Sequence, residues 1–155
     1  MGVALLEPGG FGNSKDASYI FGRYIDFRSG GNAGPYLRQG WSRTSETGRS
    51  TIGPWSDMIF SFDFSKKRDM VLTLFARPVF AAQDDEFWVD VLINGTMAVR
   101  WSFDRDNQNE NWYSTPLQRE YVAAMSPMHV TFVVGSTDPT SHGSGLEIET
   151  VGLRD

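Results

Sequence analysis

Apolar and polar residues alternate along much of this chain. Met58, Phe60, Phe62 and Phe64 recur with a period of two, the spacing that puts side chains on one face of a β-strand. Residues 87–93 set Phe87, Val89, Val91 and Ile93 against Trp88, Asp90 and Leu92. Asn94-Gly95 follows, a pair that accepts positive φ at both turn positions and predicts a tight hairpin. The return strand, 97–103, places Met97, Val99, Trp101 and Phe103 on one face, which makes Trp101 a core residue. Residues 128–134 alternate Met128, Val130, Phe132 and Val134 with His129, Thr131 and Val133. Residues 70–76 (MVLTLFA) are more evenly apolar, as in a central strand. Strands are also predicted over 19–27, 119–123 and 146–153.

Seven or eight such segments, with no amphipathic helix between them, predict an all-β fold: a single-domain antiparallel β-sandwich or jelly roll. The sandwich is expected over residues 18–155. Residues 1–17 are Gly-rich, carry Pro8 and lack periodicity, so they read as an extended N-terminal arm. Loops are expected over 28–57, 78–86, 104–116 and 135–145, with a charged turn at 65–69. The 16 glycines and the 14% aromatic content suit long ordered loops on a β scaffold.

A net charge of −5 disfavours a nucleic-acid backbone as partner, since phosphate neutralisation needs clustered Lys and Arg. Arg38, Arg43 and Arg49 share one loop region and read as scattered solvated groups or a small basic patch. The absence of cysteine rules out disulfides, thiolate metal sites and a cysteine nucleophile. No run approaches the ~20 apolar residues of a membrane span, so membrane insertion is not expected. The N-terminus reads as neither a signal peptide nor a myristoylation site. Synthesis in the cytoplasm is therefore expected, unless the sequence begins inside a longer protein.

The order Gly30-Gly31, Tyr36-Leu37, Gly40-Trp41-Ser42, Glu46, Trp55-Ser56 and then Asn94-Gly95 resembles a bacterial accessory β-sandwich domain. Domains of that kind look like carbohydrate-binding modules and accompany cell-surface polysaccharide glycosyltransferases. The resemblance covers roughly residues 25–153. It departs from the pattern in the longer spacing from Glu46 to Trp55 and in residues 136–145, which lack an expected Asn and Ser-Pro. It implies a non-catalytic domain that binds a bacterial surface polysaccharide, capsular or O-antigen, and needs no cofactor.

The residues themselves add candidate chemistry. A sugar site needs a flat aromatic beside planar amides and carboxylates. Trp112 and Tyr113, next to Asp106, Asn107 and Asn109, supply both within the expected 104–116 loop, and Trp88 lies on an outer strand face. Trp41, Ser42, Trp55, Asn94 and Gly95 read as structural, with the two tryptophans packing corners. The oxygen ligands Asp104, Asp106, Gln108 and Glu110 suggest calcium, but Asn109 stands where an EF-hand loop requires glycine, so no metal is expected. His129 and His142 have no zinc spacing. Nucleophile-elbow, Walker and dinucleotide motifs are absent, which argues against an enzyme. An alternative is the head spike or fibre adhesin of a phage-like particle, attaching to a host capsule. Its arm would dock to virion or envelope proteins, and the chain would work at a cell surface or on an extracellular particle.

Overall fold

The computed structural model describes residues 18–61, 69–118, 127–138 and 143–154. They form two antiparallel sheets packed face to face. The strands are β1 (Tyr24–Asp26), β2 (Arg49–Ser50), β3 (Trp55–Phe60), β4 (Met70–Val79), β5 (Glu86–Ile93), β6 (Thr96–Asp104), β7 (Asn111–Leu117), β8 (Met128–Ser136) and β9 (Gly145–Arg154). One sheet has the order β1-β9-β4-β7, with β2 also pairing with β9; the other runs β3-β8-β5-β6. A single 3-10 turn, Gly34–Tyr36, is the only helical element among the described residues, and no helix among them is long and apolar enough to cross a membrane. The chain is therefore the antiparallel sandwich that the alternation predicts.

Inward positions of both sheets fill the core. Leu72 and Leu74 on β4, Val89 and Val91 on β5, Val130 and Phe132 on β8, and Ile148 and Val151 on β9 are fully buried. Burial of a Leu, Val, Ile or Phe contributes roughly 1.5–3 kcal/mol each, and this term drives the two faces together. Asn94 (φ 50°) and Gly95 (φ 86°) make the β5–β6 turn. Asn94 also ties it to β8: its N–H donates to His129 O at 2.9 Å and its Oδ1 accepts from His129 N–H at 2.9 Å. At the five-stranded sheet, the buried Tyr19 hydroxyl accepts from Leu153 N–H at 2.7 Å and donates to Arg23 O.

The structure departs from the sequence expectations in four places. The strand expected over 19–27 shortens to β1, because a turn with Gly22 at φ 91° precedes it. The strand expected from 58 starts earlier, at Trp55; Phe62 and Phe64 lie outside the described residues. A bulge in the β5–β6 ladder shifts the register, so Met97 pairs with outward-facing Leu92 and is exposed, off the face of Val99 and Phe103. Finally, half of the expected 104–116 loop is β7, an edge strand that pairs with β4 from Met70↔Leu117 to Ala76↔Asn111. Pro116 is tolerated there because an edge strand leaves one side of its backbone unpaired. The N-terminal arm expected over 1–17, the strand over 119–123 and His142 lie outside the described residues.

Candidate functional site

Strand β7 decides where the expected sugar-binding residues go. Successive side chains on a strand point to opposite faces. Tyr113 faces inward and packs against Trp101 and Phe103, with ring centroids at 5.6 and 5.4 Å, and burial pushes its phenol upward in pKa. Trp112 faces outward on the five-stranded sheet. The pair therefore does not share a loop or a site, which corrects the sequence expectation. Asp106, Asn107 and Asn109 lie in the exposed turn after β6. That turn is built on Asp104, whose Oδ1 accepts from Asp106 N–H at 2.9 Å and from Asn107 Nδ2 at 3.4 Å. Trp88 sits on the outer face of the other sheet, so the six expected residues do not converge.

A different set does converge. At one end of the sandwich, the turn between β2 and β3, the β4–β5 connection and the β8–β9 end enclose an open cleft of about 600 Å³. That volume is in the range of small-ligand sites. Thr51, Ile52, Pro54, Val79, Asp84, Ser136 and Asp138 contribute side chains, and Gly53, Gly135, Gly143 and Gly145 bring bare backbone to the wall.

Local bonding fixes this shape. Thr51 is buried, its N–H donating to Leu146 O at 2.9 Å and its hydroxyl accepting from Leu146 N–H at 3.1 Å. A Cβ on Gly145 would come within 2.3 Å of that hydroxyl, so the close approach requires glycine. Asp84 is 3% exposed, and its two carboxylate oxygens accept from Ser136 (2.9 Å) and Ser144 (2.5 Å) hydroxyls. A buried carboxylate needs such donors, because an unsolvated charge without them is costly. Arg105 clamps the same connection from outside, donating to the carbonyls of Asp84 at 2.7 Å and Ala81 at 3.0 Å, with its guanidinium 5.1 Å from the Phe80 ring centroid.

Two tryptophans flank the cleft on the outer face of the four-stranded sheet. Trp55 follows the cleft residue Pro54 and is 45% exposed, opposite Val133 on β8. Its exposure corrects the expectation that it packs a corner. Trp88 lies opposite Gly135, and a Cβ on Gly135 would come within 2.3 Å of its Nε1, so the indole rests across the bare backbone of β8. With β8 between them, the two tryptophan strands are on the order of 10 Å apart. Arg100, held by Asp90 through bonds of 2.6 and 2.9 Å, places its guanidinium 4.9 Å from the Trp88 centroid. The same carboxylate holds the Arg100 pKa above its ordinary value. Among the described residues, the Trp88 N–H has no hydrogen-bond partner, and its nitrogen lies over the backbone of Gly135, a residue of the cleft wall.

Trp41 is the contrast: it is buried, and its N–H donates to Asp57 O at 2.7 Å. Ser42 pins the neighbouring turn, its hydroxyl accepting from Ser50 N–H at 2.8 Å. Arg38 and Arg49 are half-buried and donate to backbone carbonyls, so they do not form a basic patch with Arg43. Burial lowers the pKa of both.

Sequence reasoning missed Ile52, Trp55, Asp84 and Ser136 as site residues. Trp55 had a usable signal: with Met58 and Phe60 inward, the same period places residue 55 outward. For Asp84 there was none, since its donors come from distant segments.

No family model matches the sequence, and no curated protein matches it. Solved structures do. The chain is similar to the CBM36-1 domain of a multidomain xylanase from the hindgut metagenome of Trinervitermes trinervoides, with 11% identity, TM-score 0.55, and coverage of 86% of this chain and 96% of that one. It is also similar to a carbohydrate-binding module CBM36 in complex with calcium and xylotriose, with 8% identity, TM-score 0.51, and coverage of 84% and 98%. At these identities the likeness is one of fold. No group of three or more His, Asp or Glu that could hold a metal is found among the described residues, and both Asp84 oxygens already accept serine hydroxyls. These residues do not fit a calcium site.

Proposed function

We propose that this chain is a non-catalytic carbohydrate-binding domain that seats a polysaccharide in the end cleft and across the rim formed by Trp55 and Trp88. The observation that carries the reading is this pairing of an open cleft with outward indoles. A pyranose presents an apolar C–H face and a ring of hydroxyls, so its site combines flat aromatic surface with a few polar groups. Trp55 and Ile52, both about half exposed, offer the apolar surface. The Trp88 N–H, Asp138 and the backbone at Gly135 and Gly143 offer partners for hydroxyls. The shared fold with carbohydrate-binding modules supports the same class of ligand.

Among the described residues, the cleft is lined by two acids and no basic side chain, on a chain of net charge −5, so it favours a neutral polymer over a polyanionic one. A bacterial surface polysaccharide of the capsular or O-antigen kind, with uncharged repeats, is the proposed target. The domain then holds a larger assembly on that polymer, whether an enzyme of the cell envelope or a particle that attaches to it.

A glycan array carrying neutral and acidic capsular and O-antigen polysaccharides, probed with the wild type and with Trp55→Ala and Trp88→Ala, tests this reading. Binding to neutral glycans that both variants weaken by roughly tenfold, about 1.4 kcal/mol, is the expected result. Glycan binding unchanged in both variants would move the site elsewhere, and no binding to any polysaccharide would overturn the function.

A further inference from the structure

A second aromatic surface lies on the other side of the sandwich, on the outer face of the five-stranded sheet. Strand register sets Asp26, Thr150, Phe75 and Trp112 in one row, and Tyr24, Gly152, Thr73 and Ser114 in the next. Gly152 leaves room for a ring: a Cβ there would stand 2.8 Å from Tyr24 Cδ1, so the Tyr24 ring lies across the bare backbone. The ring centroid of Tyr24 is 5.6 Å from that of Trp112, which is 5.0 Å from that of Phe75. Trp112 and Tyr24 nonetheless remain 52% and 47% exposed.

The polar groups in this frame are unusual. Thr73 is 5% exposed, sits on the outward phase of β4 among these rings, and its hydroxyl has no hydrogen-bond partner among the described residues. The Thr150 hydroxyl, next to Phe75, is in the same state. A buried hydroxyl left unpaired is destabilising, and native folds rarely keep two together. Here they are kept inside an exposed aromatic frame.

The size and charge of the patch select its occupant. Half-exposed Trp and Tyr offer on the order of 100 Å² each, far below the ~800 Å² per partner of a stable protein interface. That area matches one or two sugar rings. The one charged residue in these two rows, Asp26, is paired with Arg28 at 3.0 Å, so the rows themselves hold no unpaired charge for an ionic polymer.

We infer that Tyr24, Phe75 and Trp112, with the Thr73 and Thr150 hydroxyls beneath them, form a second glycan-stacking site for a neutral pyranose. It is separate from the end cleft and does not depend on it. Two weak sites on one domain engage one long chain, or two chains, with an avidity that neither site has alone.

The test is residue-resolved NMR of the whole chain titrated with methyl β-galactopyranoside, methyl β-glucopyranoside and xylotriose at millimolar concentration. The expected result is a saturating shift of the Trp112 indole resonance together with Thr73, Thr150 and Gly152, in at least one titration. Trp112→Ala and Tyr24→Ala should each remove that set, lowering apparent affinity there by roughly tenfold, and leave any Trp88–Gly135 set intact. Comparing the unperturbed spectra checks that each variant is folded. If the Trp112 set stays still with all three sugars, the second site is overturned, whatever Trp88 does. Shifts at Trp112 without shifts at Trp88 and Gly135 would support the second site and count against the cleft.

Discussion

Trp41 and Trp55 come from the same Gly- and Ser-rich stretch, yet they end in opposite environments. Trp41 is 7% exposed, donates its N–H to Asp57 O, and meets Phe27 and Phe132 edge-on at 5.5 and 5.9 Å. Trp55 is 45% exposed and its side chain has no polar partner among the described residues. The loop residue goes inward and the strand residue outward. Two features decide this. Gly40, at φ 89°, lets the loop approach so closely that a Cβ would stand 2.1 Å from Trp55 O, and this carries Trp41 into the core. The alternation of β3 spends its inward positions on Ser56, Met58 and Phe60, which leaves Trp55 outside. An indole becomes structural or available according to backbone register and the bonding of its N–H, and composition does not separate the two.

The largest effect should come from the buried member. Trp41→Ala removes a core aromatic and its hydrogen bond, so a loss of roughly 3–5 kcal/mol in denaturant unfolding is expected. Glycan affinity of the folded fraction should be nearly unchanged. A stability loss under about 1 kcal/mol would show that the corner is not the anchor described.

Gly135→Ala comes next. Its Cβ meets the Trp88 indole, so the ring must move, and overpacking of this kind costs roughly 1–3 kcal/mol. Tryptophan fluorescence should report a changed environment, with glycan affinity falling in parallel. Unaltered fluorescence would mean that the indole does not rest on β8.

Tyr19 gives a pH-dependent anchor distant from both tryptophans. Burial pushes its pKa up, more than the backbone bond to Leu153 lowers it. A group raised on folding keeps its contribution below its unfolded value, about 10, and loses it as pH climbs through the higher folded value. Thermal stability should therefore decline above about pH 10, and Tyr19→Phe should flatten that decline while lowering stability at neutral pH. An identical alkaline slope in the variant would assign the decline to other groups.

The smallest stability effect belongs to Trp55→Ala, expected to lie within about 0.5 kcal/mol of wild type in thermal unfolding while affinity falls roughly tenfold. A large loss of stability in this variant would place Trp55 with Trp41 as a structural residue.

The legible parts of this fold were those encoded locally. The Asn94-Gly95 hairpin follows from two residues that tolerate positive φ, and β4, β5, β8 and β9 follow from uninterrupted apolar runs or alternation. β7 was hidden because it begins after a polar turn and contains Pro116, and because it depends on the β4 edge for pairing. That one missed strand put Trp112 and Tyr113 in a common loop, when alternation sends them to opposite faces. Asp84 sits among three adjacent acids that look alike in sequence. Ser136 and Ser144, brought in by the β8–β9 end, donate to the carboxylate of the buried one.

The most direct test follows the indole N–H resonances of the five tryptophans while the wild type is saturated with an oligosaccharide from the strongest array hit, binding being measured in parallel by calorimetry. Trp55 and Trp88 should shift and reach saturation at the calorimetric affinity, while Trp41 stays fixed. Saturated binding with Trp55, Trp88 and the Gly135 amide all unmoved would contradict the placement of the sugar at this cleft.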